Sequence, residues 1–309
     1  MNNYIEYNNK MAFHPGYYIQ ELVEDSGLTQ EDFAKRLDTT PKNLSLLIRG
    51  EQNLSIDIAV KLARLFNNSI EFWLNLQATY DAALAEIKSS EELEKERQIF
   101  KFINYKYFVK YFDLPQNSKN IDLQIKTLRN FLQLSTLLLL TKKDLISKFR
   151  DSTDNLPLNQ VIMANAMLQV GINQALQIEA VNFNKTKFKK SINFVDILYA
   201  DNKLNFNLLK KEYADYYDNI DDTLLNSGVI LTKIPAMPGT NFRSATKKLG
   251  SNIMLLINDT NTKSANTLDT IFAEMTNIAT GNYGITLNNL IQKNPRSLPE
   301  NVTTNKFMN

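Results

Sequence analysis

Residues 29–50 read TQEDFAKRLDTTPKNLSLLIRG and contain two short helical patterns separated by a sharp turn. Thr29 is a good N-cap for the first pattern. Asp38 stands at the turn, and Asp is one of the few non-glycine residues that tolerates a left-handed backbone. Thr40 caps the second pattern, which opens with Pro41, a residue pre-set for the first helical turn. The stretch therefore predicts two short helices joined by a tight turn.

The second helix of this pair has an inner and an outer face. Leu44, Leu47 and Ile48 have the spacing of side chains that face a core. Polar and basic side chains on the outer face suit a DNA major groove, where Asn pairs with adenine, Lys reaches guanine or phosphate, and an apolar group meets a thymine methyl. The alternative is a helical hairpin with a solvated face, and the stretch alone fits both. The outer-face residues are Lys42, Asn43, Ser45, Leu46 and Arg49.

The composition is that of a globular protein long enough for two ordinary cores. Of 309 residues, 43% are hydrophobic and 22% are charged. The chain has 35 basic and 33 acidic side chains, so its net charge is close to zero and any DNA contact must come from a local patch. The absence of Cys excludes disulfides and Cys nucleophiles. No apolar run is long enough for a membrane span or a signal core, so we expect a cytoplasmic protein.

Motifs at the end of the helix pair and on either side of it extend the pattern. They are His14-Pro15-Gly16, Leu47-Ile48-Arg49-Gly50, and residues 69–78, SIEFWLNLQA, followed by Tyr80-Asp81. On these motifs the chain resembles the helix-turn-helix antitoxins of the HigA type, within the wider XRE (Cro/repressor-like) family. The resemblance implies a five-helix DNA-binding domain, double-stranded operator DNA as the partner, and a homodimer formed with help from the last helix.

The resemblance also implies roles for individual side chains. Base contacts fall to Lys42, Asn43, Ser45 and Leu46, and phosphate contacts to Gln30, Thr40 and Arg49. Gln30 stands at a helix start, where it shares a phosphate with backbone N–H groups. Many relatives carry Arg-Gln where this chain has Pro41-Lys42, so the operator sequence cannot be carried over.

The following region is helical and rich in aromatic residues. Residues 100–112 interleave aromatic side chains with Lys101, Lys106 and Lys110. Such a pattern can stack bases, but we favour a single amphipathic helix that covers a core. Further helices are expected at 121–134, 163–180, 188–198 and 204–220, with a linker at 151–157.

Strand signals begin at Gly228. Residues 228–235 are rich in β-branched side chains and are bounded by Gly and Pro, which predicts a strand. Residues 242–246 are interpreted as a second strand, and 253–257 as an apolar strand buried on both faces. A helix with an inner apolar stripe follows at 265–279. These patterns predict a mainly α protein with a C-terminal α+β domain that contains a small sheet.

This order of elements resembles the C-terminal domain of ImmA/IrrE-type metallopeptidases. The resemblance is carried by Gly228-Val229, residues 235–239 (PAMPG), 253–257 and 268–272 (LDTIF). In such enzymes the helix carries His-Glu-x-x-His, in which two His bind zinc and the Glu activates water. Here the corresponding five residues are Ala-Glu-Met-Thr-Asn. We therefore expect no enzyme activity, metal or cofactor, and Glu274 is interpreted as a solvated or core-edge carboxylate.

The sequence predicts four segments of the chain and leaves three candidate functions. The segments are an arm (1–13), a helix-turn-helix DNA-binding domain (14–88), a helical connector (89–156) and a degenerate ImmA/IrrE-like domain (157–309). We expect an autoregulatory transcriptional repressor whose peptidase-like domain senses a signal or binds a partner. The alternatives are an antitoxin that neutralises a cognate toxin protein of a type II toxin–antitoxin module and, less favoured, a metallopeptidase.

Overall fold

Side-chain caps place the first helices where the sequence predicts them. In the computed structural model, which describes residues 4–7, 10–116, 119–145, 147–150, 156–192, 220–259 and 265–288, Thr29, Thr40, Ser55 and Ser69 each accept a hydrogen bond from the backbone N–H three residues on. The helices are α1 (Pro15–Asp25), α2 (Gln30–Arg36), α3 (Pro41–Ile48), α4 (Ile56–Phe66) and α5 (Ile70–Phe100).

The chain divides into two compact units, Met1–Glu94 and Lys95–Asn309. The expected mainly helical fold, with an N-terminal helix-turn-helix domain and a small C-terminal sheet, is confirmed. Among the described residues, no helix combines the length and the apolar character that a membrane crossing requires.

The described part of the segment expected to form an arm contains two paired strands, which we call the hairpin. Strand β1 (Tyr4–Tyr7) pairs antiparallel with β2 (Lys10–Phe13). The Phe13 ring lies 5.7 Å from that of Tyr4 and 4.9 Å from that of Tyr17 on α1. This aromatic contact anchors the hairpin on the first helix.

One apolar cluster joins the helices of the first unit. It contains Phe33, Leu37, Leu44, Leu62 and Trp73, all almost completely buried. The start of α1 approaches the end of α3 so closely that a Cβ on Gly16 would lie 2.0 Å from the carbonyl oxygen of Leu47. Glycine at position 16 is therefore a steric requirement for holding α3 in place.

The aromatic region is two helices rather than one. α5 ends at Phe100, and α6 (Tyr105–Phe112) begins after a turn, so the expected single helix is wrong. Phe100, Ile103 and Tyr105 do not share one helical face, and the turn allows all three to be buried. α7 (Ile121–Leu132) and a short 3-10 helix (Leu137–Thr141) follow.

The second unit contains a four-stranded mixed sheet. Its strands are β3 (Val229–Pro235), β4 (Phe242–Leu249), β5 (Asn252–Asp259) and β6 (Gly284–Leu287), in the order β3-β5-β4-β6. β3 and β5 are parallel, whereas β4 is antiparallel to both β5 and β6. The three predicted strands are present, and β6 was not predicted.

Helices cover both faces of this sheet. Ile253, Leu255 and Ile257 of β5 join the core cluster that includes inner residues of α9 (Ala265–Thr280). The intervening Leu256 faces α8 (Leu158–Ala175), where a Cβ on Gly171 would lie 2.5 Å from it. Because successive side chains of a strand point to opposite faces, the prediction that β5 is buried on both faces is confirmed.

The helix predicted for 163–180 begins five residues earlier and ends at Ala175. Residues 185–192 and 220–225 are helical. The rest of the helices predicted at 188–198 and 204–220, and most of the linker predicted at 151–157, lie outside the described residues.

Candidate nucleic-acid interface

The turn between α2 and α3 adopts the left-handed backbone predicted from Asp38, whose φ is 49°. Thr40 Oγ1 accepts a hydrogen bond from the N–H of Asn43 at 3.1 Å. This cap fixes the first turn of α3, and with it the direction in which Lys42 and Asn43 leave the helix.

An open depression lies along the start of α3 and brings together four of the seven predicted contact residues. Thr40, Lys42, Asn43 and Leu46 line it, together with Lys35, Asp38 and Thr39. Gln30 is the first residue of α2 and does not line the depression. Ser45 and Arg49 form a separate pair further along α3. We call residues 40–49 of this exposed face the α3 surface.

The Asn43 amide is oriented by a hydrogen bond to Thr39, which is not among the predicted contact residues. Asn43 Nδ2 donates a hydrogen bond to the hydroxyl of Thr39 at 3.1 Å. Thr39 precedes Thr40, the N-cap of α3, so helical periodicity does not predict this bond. The bond restricts the amide group before any ligand arrives.

Arg49 is engaged by neighbouring side chains. Its guanidinium donates to the hydroxyl of Ser45 and, through Nε and Nη2, to both carboxylate oxygens of Glu51 at 2.9 and 3.1 Å. This hydrogen bond raises the pKa of Arg49 and lowers the pKa of Glu51. A phosphate that binds Arg49 must therefore compete with a bidentate intramolecular pair.

Lys42 is the free cation of the depression. Lys35, the other lysine there, forms ion pairs with Glu31 at 2.9 Å and Asp32 at 3.7 Å. Within the described part of the chain, Lys42 forms no ion pair. Its ammonium is therefore available to an external anion at no cost in broken contacts.

The charge of the first unit makes these few cations decisive. Residues 1–94 contain eight Lys or Arg and fifteen Asp or Glu, a formal charge of −7. Such a balance repels a polyanion at long range, so attraction to DNA has to come from local contacts at the α3 surface.

His14 is a buried supporting residue for this surface. It is 0% exposed, and its Nδ1 accepts a hydrogen bond from the N–H of Gly16 at 2.9 Å, which caps α1. Neutral imidazole then carries its proton on Nε2, which has no hydrogen-bond partner among the described residues and lies in a ring that meets Tyr80 edge-on. Burial lowers the pKa of His14, against the opposing charge of Asp81.

We expect the stability of the first unit to fall as the pH drops below 6.5. In the unfolded chain His14 takes up a proton near that pH, whereas the folded protein resists protonation because the pKa is lowered. Stability from neutral His14 is thus complete above 6.5 and is lost as the pH falls towards the folded pKa.

Urea unfolding followed by the fluorescence of buried Trp73, the only Trp, measures this effect between pH 7.5 and 5. His14→Asn keeps an N-cap acceptor but cannot titrate. The gap in stability between the wild type and this variant should narrow as the pH falls. A gap that is constant with pH would contradict the assignment.

Glu274, the remaining carboxylate of the degenerate motif, is buried and paired, so its interpretation as a solvated or core-edge group is wrong. It is 1% exposed and accepts hydrogen bonds from Arg150 at 2.7 Å, Ser244 at 2.6 Å and Thr286 at 2.9 Å. The physical reason is the nearby guanidinium, which neutralises the carboxylate inside the fold. Arg150 also donates to Thr246.

The residues around Glu274 do not fit a zinc site. Within the described residues, no group of three or more His, Asp or Glu side chains could hold a metal ion. A catalytic zinc needs about three protein ligands, whereas here the Glu274 carboxylate is hydrogen-bonded to the Arg150 guanidinium. The Arg150–Glu274 cluster is thus a closed polar network, with its donors and acceptors satisfied from within the chain.

The first unit is a helix-turn-helix domain by its geometry, and comparison with known proteins agrees. The HTH_3 (helix-turn-helix) family model matches residues 19–73. Virulence-associated protein I of Dichelobacter nodosus is 32% identical over 80 residues, covering 26% of this chain and 74% of that protein. The chain belongs to the HTH_3 helix-turn-helix family.

Two further relatives are named as members of the expected classes, transcriptional regulators and antitoxins. The uncharacterized HTH-type transcriptional regulator YddM of Escherichia coli (strain K12) is 32% identical over 92 residues, which cover 29% of this chain and 96% of that protein. Antitoxin HigA-1 of Vibrio cholerae serotype O1 is 31% identical over 80 residues, covering 26% of this chain and 75% of that protein.

Proposed function

We propose that the protein is a sequence-specific transcriptional repressor that binds its own operator through the α3 surface. The observation that carries this proposal is the depression in which an unpaired Lys42 lies beside an Asn43 amide already oriented by Thr39. A free cation and a fixed amide are the two side-chain types that read guanine and adenine edges. Thr40 and Gln30 are proposed to position the helix on phosphates, and Ser45 and Leu46 to contact bases.

Binding of the full-length protein to its own promoter fragment tests the proposal. We expect saturable binding that weakens as the salt concentration rises and that exceeds binding to a scrambled fragment of equal length. Binding to the scrambled fragment should be weaker, because phosphate contacts remain there but the matching base contacts are lost. Equal affinity for both fragments would refute sequence-specific repression.

Removing the Glu51 carboxylate should strengthen operator binding. In Glu51→Gln, Arg49 loses its bidentate partner and becomes available to phosphate, while a negative charge next to the DNA disappears. We expect a severalfold gain in affinity at low salt, and a smaller gain at high salt because exposed charges are screened. Glu86→Gln, an equal charge change at an exposed position of α5, is the control. An equal gain in both variants would show that only net charge matters.

A homodimer is part of the proposal. Leu65, Ile70, Phe72 and Leu84 are exposed apolar residues on α4 and α5, and a partner that covered them would remove apolar area from water. Two α3 surfaces related by two-fold symmetry would read a palindromic operator. Sedimentation analysis of the wild type beside Phe72→Glu tests this point, since the variant should be monomeric.

A toxin protein is the second candidate partner. The name of the Vibrio cholerae relative supports this alternative, since it is an antitoxin. Co-expression with a neighbouring reading frame that is toxic alone would identify it. Rescue of growth by an α3-surface variant that no longer binds DNA would separate neutralisation from repression.

We further propose that the second unit is not an enzyme and that it retains a peptidase-like fold for sensing or partner binding. Support comes from the Ala-Glu-Met-Thr-Asn sequence and from the guanidinium that occupies Glu274. Metal analysis of the purified protein tests this. Stoichiometric zinc with chelator-sensitive proteolysis would restore the peptidase alternative.

A further inference from the structure

The second unit has a charge of the opposite sign to the first. Residues 95–309 contain 27 Lys or Arg against 18 Asp or Glu. Part of this excess surrounds a cavity of about 390 Å³ between the end of α9, the end of β4 and the helical residues 185–192. Neither the α3 surface nor the Arg150–Glu274 cluster contributes to this cavity. Its lining includes Phe183, Lys185, Phe188, Lys189, Lys248 and Tyr283.

Three lysines form the cationic side of the cavity. Lys185 and Lys189 are one helical turn apart and therefore share a face, and Lys248 approaches from β4. Among the described residues, no carboxylate lines the cavity and none of the three lysines has an ion pair. This differs from the α2–α3 region, where Lys35 and Arg49 both have acidic partners.

Aromatic rings form the other side. The Tyr283 ring is half-buried, and Lys248 Nζ lies 5.2 Å from its centroid. The half-buried Phe183 ring lies 5.5 Å from that of Phe188, which is fully buried in the core of the sheet. The core contact fixes the position of this apolar wall, and the wall lines the same cavity as the three lysines.

Helix geometry alone does not account for this arrangement. The carbonyl end of α9 lies beside the cavity, and a helix C-terminus attracts a cation. That attraction accounts for the presence of one lysine beside the end of α9. The other two lysines also line the cavity, and an anion placed among the three would be attracted by all of them.

We propose that this cavity binds a nucleotide, with the phosphate held by Lys185, Lys189 and Lys248 and the base against Tyr283 and Phe183. The volume lies within the roughly 300–1,000 Å³ range of small-ligand sites, and aromatic faces accept any base by stacking. A concave site of this size excludes a DNA duplex. The ligand is therefore a free mononucleotide or one nucleotide of a single strand.

Titration calorimetry of the full-length protein with the four ribonucleoside 5′-monophosphates tests the proposal. At least one nucleotide should bind more tightly than either inorganic phosphate or the matching nucleoside, because each of these lacks half of the contacts. A single-stranded trinucleotide containing that base distinguishes the two sources. Tighter binding of the trinucleotide identifies a nucleic-acid strand, and equal or weaker binding identifies a free nucleotide.

A matched pair of lysine variants locates the site. Lys185→Ala/Lys189→Ala should lose about tenfold or more in affinity, as expected for charged hydrogen bonds. Lys187→Ala/Lys190→Ala removes the same charge from the same helix at exposed positions that do not line the cavity, and should bind normally. All four side chains are exposed, so circular dichroism should show an unchanged fold.

The contribution of the base is tested by Tyr283→Leu, which keeps apolar bulk but removes the stacking face. It should weaken nucleotide binding while leaving phosphate binding unchanged. Equal losses in the two lysine pairs, phosphate binding as tightly as every nucleotide, or no binding of any monophosphate at millimolar concentration would each overturn the proposal.

Discussion

The variant Lys42→Ala/Asn43→Ala is expected to bind the operator at least about 30-fold more weakly than the wild type. Lys42 is the unpaired cation of the depression, and Asn43 is the side chain whose amide is already oriented. Each good bidentate base contact contributes roughly 1–3 kcal/mol of discrimination. Binding to a scrambled fragment measures the non-specific attraction, to which the basic second unit contributes, so this attraction can be separated from the loss.

Fluorescence anisotropy with a labelled promoter fragment across a salt series measures this loss. Gln20→Ala/Lys88→Ala removes one amide and one ammonium from exposed positions outside the α3 surface, and should bind as the wild type does. Unfolding followed by Trp73 should be unchanged in both proteins. Wild-type affinity in the Lys42/Asn43 variant would show that α3 does not read the operator.

The single variants separate the two roles. Asn43→Ala should relax the preference at one base pair, whereas a lysine that contacts phosphate weakens all sequences alike and reduces the salt dependence by about one ion. Thr39→Val removes the acceptor that orients Asn43 and keeps the bulk. It should reproduce part of the Asn43→Ala effect without deleting any group that touches DNA.

The first unit could be predicted largely from its sequence because its signals are local. Thr29, Thr40 and Ser55 each accept a capping hydrogen bond from a residue three positions further on. The left-handed backbone of the single residue Asp38 turns the chain between α2 and α3. Apolar residues at helical spacing then define the core. The bidentate Arg49–Glu51 pair is also local, but the two residues are two positions apart, a spacing that helical periodicity does not predict to pair.

The second unit was predicted less well because its determining contacts are distant in sequence. β5 was recognised as a continuous apolar run, whereas the four-residue β6 carries too little pattern. The segment before Arg150 pairs with β6, where Arg150 N donates to the carbonyl of Ile285 at 2.9 Å. Arg150 reaches Glu274 across 124 positions, and no periodicity records such a partnership.

Arg150→Ala should destabilise the second unit by roughly 3–5 kcal/mol, the cost of leaving a buried charge without its partner. Glu274 is 1% exposed and would keep only hydroxyl and amide donors after the guanidinium is removed. Hydrogen exchange of β4 and β6 measures the effect. Trp73 fluorescence reports the first unit separately and should show an unchanged unfolding transition.

A double variant distinguishes a buried charge penalty from simple loss of packing. Arg150→Met/Glu274→Met removes both charges and keeps much of the volume, so it should be considerably more stable than Arg150→Ala and close to the wild type. The double variant should remain slightly less stable than the wild type, because the hydroxyls of Ser244, Thr246 and Thr286 lose their hydrogen bonds to Arg150 and Glu274. If Arg150→Ala and the double variant were equally destabilised, Arg150 would contribute through packing, and the neutralisation of Glu274 would not be its role.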